Sequence, residues 1–369
     1  MKNAGVHVTE DINGEDQEGT SKVQVHQKNG QRFSSADGYL NQKVLDRSNF
    51  YLQFDSLVTK VLFKGKTAIG VEYTQYGKTK KVFASKEVIL SAGAVNTPQI
   101  LLLSGVGPKE ELEKLKIKVI HDLKGVGKNL QDHIFFTICH NATLPSVHTE
   151  ENPGTIYKWA SEGKGPLTSN LGEGASFHRT SKLKKDDFPN LEYVYGPLYF
   201  INHGKIAYPG DGTTIGPILL RPKSTGEIRL RSTNPNDKPI IEPNYLTHPD
   251  DLEALVEGFH QARKFYSTKP ISDFVDHELH PGKHVQSDAQ IKEFIKNSLM
   301  TIYHPTSTCK MGPSLDKSAV VDERLKVHGL KGIRIVDASI FPNVPTGHTH
   351  APVVMVGEKG SDLIKEDWK

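Results

Sequence analysis

Two histidines sit where a side chain could take up and return a proton. His304 opens the run His304-Pro305-Thr306-Ser307-Thr308-Cys309-Lys310-Met311-Gly312-Pro313, and His348 lies in Pro345-Thr346-Gly347-His348-Thr349-His350-Ala351-Pro352. An unperturbed imidazole titrates at about pH 6.5, so it can serve as acid or base at neutral pH. Between the two runs the apolar residues Ile333–Val336 read as a short strand ending in Asp337-Ala338-Ser339, and a helix is expected from about Val353 to Ile364. A strand, a sharp turn and a helix start together turn backbone N–H groups towards an anionic ligand. Most of the 17 histidines are expected to be surface or structural residues, so these two are singled out by their Gly/Pro-rich turns and that neighbouring turn.

Other chemistries find less support. A metal site would have to use His304, Cys309, His348 and His350, yet His348-x-His350 does not give the i,i+4 spacing of a helical pair and no Cys-x-x-Cys occurs. Serine hydrolysis lacks its G-x-S-x-G, and Ser104-Gly105 follows an expected helix where a nucleophile elbow needs a strand. A net charge of +3 is too small and dispersed for a nucleic-acid partner, and the run Lys182-Leu183-Lys184-Lys185 is followed by Asp186-Asp187. No apolar run reaches the roughly 18 residues of a membrane span. The two cysteines, Cys139 and Cys309, are no disulfide framework, and sequence leaves their redox state open. The first residues are polar, with no apolar segment of a signal peptide. The sequon Asn141-Ala142-Thr143 matters only in a secreted protein, and the compartment stays open, secretion of a full-length form included.

The positioning elements come next. Lys22–Gln27 alternates as a strand before the turn Asn29-Gly30, and Ser34-Ser35 caps a helix to about Leu45. Asn49–Phe54 is a strand candidate. Leu57–Phe63 and Ala68–Tyr73 form a hairpin, with Thr79–Ala84 beside them. Glu87–Leu90 is a short strand leading into Ser91-Ala92-Gly93-Ala94, whose small residues admit a ligand close to the backbone. Thr97-Pro98 reads as cap and first-turn proline of a helix to Leu103. The stretch from Glu150 to Gly212 is loop-rich, and its aromatics Tyr193, Tyr195, Tyr199, Phe200 and Tyr208 suit core packing better than a pocket lining. Asp250–Tyr266 and Ser287–Leu299 carry the clearest helical periodicity.

Three blocks carry a resemblance. The C-terminal tail from His304, the segment Gly93-Ala94-Val95-Asn96-Thr97-Pro98-Gln99-Ile100-Leu101-Leu102-Leu103-Ser104-Gly105-Val106-Gly107, and Gly125-Val126-Gly127-Lys128-Asn129-Leu130-Gln131-Asp132-His133 stand in one order and spacing. Together they resemble the glucose-methanol-choline (GMC) family of FAD-dependent oxidoreductases, with a tail in the style of the arthropod glucose-dehydrogenase-like branch. The resemblance implies oxidation of an alcohol or sugar CH–OH to carbonyl, with FAD as cofactor and oxygen or a quinone as electron acceptor. It implies that His304 is the general base and that His348 bonds the substrate oxygen, two roles that could be exchanged. Val58 would hold the adenine through backbone contacts. The turn Ser91, Ala92, Gly93, Asn96 and Thr97 would pass the ADP half. Asn129 and Leu130 would lie near the flavin, Asp337 and Ala338 along the phosphates or ribityl chain, and His350, Ala351 and Pro352 at the pyrimidine edge. His350 stands where the family often has Asn or Gln, and Ser307 where it usually has Gly.

The fold class implied is α/β: part of an FAD-binding Rossmann-like domain over 1–133 and 308–369, with a mixed-sheet substrate domain and flanking helices over 134–307. No G-x-G-x-x-G occurs in the chain; Gly105-Val106-Gly107-Pro108 comes nearest. The expectation is therefore the C-terminal part of a longer enzyme. The alternative is a truncated, non-catalytic product that does not bind FAD.

Overall fold

The computed structural model describes residues 2–147, 152–206 and 208–369, and its fold is mixed α/β. The chain divides into two units, each assembled from separated segments.

The first unit comprises Met1–Phe50, His133–Arg221 and His248–Ile302. Among the described residues it holds an eight-stranded antiparallel sheet, running Gly19–Lys22, Gly174–His178, Leu191–Gly196, Gly212–Leu219, Ile134–Phe135, Met300–Thr301. Ile138–Ala142 also pairs with Gly212–Leu219, and Val275–His280 pairs with Ile138–Ala142. Gly212–Leu219 is central because it is rich in Thr and Ile and buried along its whole length, which suits a strand covered on both faces. The Pro249–Tyr266 helix packs Leu255, Val256, Phe259, Ala262, Phe265 and Tyr266 inward. It starts where His248 accepts from the Asp250 N–H, with Pro249 at its first position and Asp250 and Asp251 in the first turn. The Asp288–Ser298 helix is opened by a Ser287–Gln290 capping box and buries Ile291 and Ile295.

The second unit comprises Tyr51–Asp132, Pro222–Thr247 and Tyr303–Lys369. The expected hairpin and its third strand form an antiparallel meander, Ser56–Lys64, Thr67–Gln75 and Lys78–Phe83. Val88–Leu90 pairs in parallel with Ile333–Ile335, as a strand–crossover–strand arrangement requires. The Gly93–Leu103 helix is buried along one continuous apolar run, Ile100 to Leu103. It joins Leu90, Val320, Val321, Ile333 and Ile335 in a single core. The His350–Asp367 helix closes the chain and is tied down at its end. Arg334, only 1% exposed, donates to Glu87 (2.8 Å), to the Arg324 carbonyl (2.9 Å) and to Asp367.

Several expectations need correction. Residues 49–54 form no strand. The helix expected to Leu45 is two short ones, Ser35–Tyr39 and Gln42–Leu45, because the backbone is extended at Asn41 (φ −70°, ψ 165°) between them. The helix expected from Pro98 starts at Gly93, so Pro98 lies inside it. A proline there removes the donor for the carbonyl four residues back. The Thr308 hydroxyl supplies it instead, donating to the buried Ala94 carbonyl at 2.6 Å. The stretch read as loop-rich contains the Pro153–Glu162 helix and two sheet strands, while its residues 150, 151 and 207 lie outside the described ones. The units also run differently from the expected boundaries at 133 and 307. Residues 1–50 join the first unit because Gly19–Lys22 pairs with Gly174–His178. Residues 222–247 join the second because Leu130 and Gly226 exchange backbone hydrogen bonds.

Candidate active site

His304 and His348 meet edge to face, with ring centroids 5.0 Å apart and an interplanar angle of 81°. His304 is half-buried and His348 exposed. The backbone around His304 is tightly turned: Tyr303 has φ +64° and Ser307 φ +74°. Left-handed backbone at a residue with a Cβ costs about 1–2 kcal/mol, so surrounding contacts must hold it. Ser307 thus takes the conformation a glycine would take at no cost, and its hydroxyl donates to Thr306 Oγ1 at 3.0 Å.

Those contacts come from the segment 129–132. Gln131 and Thr306 exchange backbone hydrogen bonds of 3.2 and 2.9 Å. Asp132 Oδ1 accepts the His304 N–H at 2.9 Å. The same segment holds the loop before His348: the Val344 N–H donates to Gln131 Oε1 (3.1 Å), and Asn129 Nδ2 donates to the Pro342 carbonyl (3.2 Å). Three residues of this segment, Asn129, Gln131 and Asp132, therefore bind both histidine loops. Their own approach is fixed by Gly127 at φ +79°, where a Cβ would stand 2.3 Å from the Ile228 carbonyl. It is fixed again by Lys128, whose ammonium donates to Glu111 (2.6 Å) and Glu227 (2.5 Å). Burial alone would lower that ammonium's pKa, but the two carboxylates outweigh it and raise it.

The turn after Val88–Leu90 is organised by Asp337. One carboxylate oxygen accepts the Gly93 N–H (2.9 Å) and the Thr97 hydroxyl (2.6 Å), and the other accepts the Ser339 N–H (2.8 Å). Thr97 Oγ1 also accepts the Ala92 N–H at 3.1 Å. The structure thus brings Ala92, Gly93, Thr97, Asp337 and Ala338 together, while Ser91 and Asn96 stand exposed at the rim. The Thr97 and Asp337 side chains meet protein donors and acceptors, in residues that the resemblance placed along FAD. Asn129 and Leu130 are likewise occupied: Asn129 by the contacts above, Leu130 by its backbone pair with Gly226. Val58 lies on the outer strand of the meander and packs against the same core as Ala92 and Ala338.

Two features suit a large anionic ligand. Gly93, at φ +80°, has nothing within 4 Å of a Cβ position, so the turn is open there. The His350–Asp367 helix begins without a side-chain cap, leaving its first N–H groups and dipole beside exposed His348, His350 and Ala351, with Pro352 half-buried behind them. Cys309, behind the turn, is buried and free; burial first, then the Asp337 charge, push its thiol pKa well up, which makes it a poor nucleophile. Among the described residues no group of three or more His, Cys, Asp or Glu is placed to hold a metal ion.

The models of the GMC oxidoreductase family match residues 1–135 and 222–357. The chain belongs to the GMC oxidoreductase family. It is 39% identical to the mitochondrial choline dehydrogenase of Mus musculus, over 99% of this chain and 61% of that one. It is 42% identical to an alcohol dehydrogenase [acceptor] of Pseudomonas putida, over 96% of this chain and 65% of that one. This GMC chain therefore spans less than two thirds of the length of these curated relatives. A formate oxidase superposes with a TM-score of 0.90 at 28% identity, covering 99% of this chain and 68% of its own. The formate oxidase of Aspergillus oryzae, whose structure concerns FAD modification, matches at TM-score 0.84 and 28% identity over 92% and 64%. Within the GMC blocks, the residues that sequence reasoning missed are Gln131, Asp132 and Thr308. All three stood in the quoted motifs, but the backbone groups they hold, the His304 N–H, the Val344 N–H and the Ala94 carbonyl, are ones no motif names. No helix among the described residues is long and apolar enough to cross a membrane.

Proposed function

We propose that this protein oxidises a primary or secondary alcohol, or a sugar CH–OH, to the carbonyl, with His304 as general base and FAD as cofactor. The observation that carries the reading is the imidazole pair at 5.0 Å, held from one segment beside an uncapped helix start, in a chain of the GMC family. His304 takes the proton of the substrate hydroxyl; its backbone is anchored by Asp132, which favours it for the step whose geometry is most demanding. His348, on the exposed side, donates a hydrogen bond to the substrate oxygen as charge builds there. When bound, FAD accepts the hydride from the substrate carbon. The open turn at Gly93, the uncapped start at His350 and Ala351, the backbone of Val58 and Ala338, and the surfaces of Ser91 and Asn96 are the groups available to hold it. Oxygen or a quinone completes the cycle.

An alcohol is the first substrate class to assay because two relatives are a choline dehydrogenase and an alcohol dehydrogenase. The tail's likeness to glucose-dehydrogenase-like proteins makes sugars the second. A second reading, that residues 1–369 hold FAD poorly on their own, is favoured by the missing G-x-G-x-x-G and by Asp337, which already occupies the Gly93 N–H. Without further donors at a helix start, two phosphate charges lack their usual counterpart. One absorption experiment addresses both. After incubation with FAD and desalting, the chain should keep well under one flavin per protein. With FAD then in excess and oxygen absent, an alcohol should bleach the flavin band. A stoichiometric yellow protein contradicts the second reading, and a band that no alcohol or sugar bleaches contradicts the first.

A further inference from the structure

Resting on the role proposed for His304, we infer that Asp132, locked by Tyr245, is the positioning residue that sets where the His304 imidazole stands. Asp132 is a carboxylate only 6% exposed. A nearly buried carboxylate must be met by donors, and here two of them are the His304 N–H at 2.9 Å and the Tyr245 hydroxyl at 2.5 Å. The first pins the backbone from which the imidazole projects. The second fixes the rotamer of the carboxylate itself, so that Oδ1 stays aimed at His304.

Backbone conformation points the same way. Tyr245 lies between Asn244 at φ +53° and Leu246 at φ +60°, and His304 follows Tyr303 at φ +64°. Left-handed backbone at Leu and Tyr is rare and persists only where the surroundings over-determine it. Two such corners meet on one carboxylate. Their chain neighbours are differently held: the 244–246 corner follows the hairpin strand Ile240–Glu242, and the 303–306 corner is tied to Gln131. Asp132 therefore links an otherwise unrelated loop to the residue that must be placed well for proton transfer. Its bond to His304 is made to the backbone N–H, so its effect on turnover passes through His304.

The test is steady-state turnover of the flavin-loaded enzyme in Asp132→Ala, Asp132→Asn, Tyr245→Phe and His304→Ala. Asp132→Ala should lower kcat by about 10- to 100-fold, the scale of an ångström-sized misplacement, with KM changed by no more than about threefold. Asp132→Asn keeps an oxygen that accepts the His304 N–H and should recover most of the loss. Tyr245→Phe should lower kcat severalfold. In a His304→Ala background Asp132→Ala should add no further loss, because it acts through the missing imidazole. Full additivity there, a loss confined to KM, or an Asp132→Asn variant no better than Asp132→Ala overturns the inference. Should Asp132→Ala not fold, Tyr245→Phe decides: a lower kcat at unchanged KM supports the inference, and wild-type kcat overturns it. The His304→Ala control separates the two claims. Wild-type turnover in that control removes His304 from the mechanism, whereas a slow His304→Ala with a wild-type-like Asp132→Ala overturns only the positioning role.

Discussion

His304 and His348 were singled out by the motifs around them, and the structure brings their rings to 5.0 Å. What was not legible is how they are held. The carboxylate that accepts the His304 N–H lies 172 positions earlier, and that backbone N–H is one every residue type but proline possesses. No side-chain pattern announces such a contact. The resemblance placed Thr97 and Asp337 along different parts of FAD; in the structure the Asp337 carboxylate accepts both the Thr97 hydroxyl and the Gly93 N–H. Residue chemistry also sets a pH response in the first unit. Burial lowers the pKa of both His140 and His178 from 6.5 to about 4, and His140 stacks on Tyr266 at 3.8 Å. Between those pH values the unfolded chain binds protons that the folded one excludes. Stability is therefore fully present above about pH 6.5 and falls as pH drops towards 4. His140→Phe, which keeps the ring stack and cannot titrate, should flatten that slope in urea melts at pH 7 and pH 5. An unchanged slope would show that His140 does not contribute.

Elements with a strong period were read correctly: Pro249–Tyr266 and Asp288–Ser298 lie within a residue or two of their expected limits, because an amphipathic face and a capping residue both mark them. The Gly93–Leu103 helix was misread at its start because Thr97-Pro98 mimics a cap and first turn. Local chemistry favoured Pro98 as a beginning, and a distant side chain made an interior proline tolerable. That compensation is testable. Thr308→Val keeps the shape and leaves the buried Ala94 carbonyl without the hydroxyl, so the second unit should lose about 1–3 kcal/mol of stability. Thermal or denaturant unfolding of the variant checks this, and an unchanged midpoint would mean that the Ala94 carbonyl finds another donor.

At the scale of the whole molecule, the chain order misled. Each unit is built from three segments, so boundaries drawn along the sequence could not match them. Residues 1–50 were expected in the FAD-binding domain over 1–133, whereas strand pairing puts Gly19–Lys22 with Gly174–His178. The parallel pair Val88–Leu90 and Ile333–Ile335 is likewise joined across most of the chain, and only the family resemblance signalled it. The same interleaving brings residues 129–132, 245, 303–308 and 337–348 into one unit, and this convergence gives the histidine pair its setting. In the proposed mechanism His304 takes the proton of an alcohol whose carbon gives up hydride. The most direct measurement is the rate of anaerobic flavin bleaching by an alcohol substrate, at saturating FAD, in the wild type and in His304→Ala. The expected rate is at least about 100-fold lower in the variant, with flavin still bound, the scale for loss of a general base. Equal rates in the two proteins would contradict it.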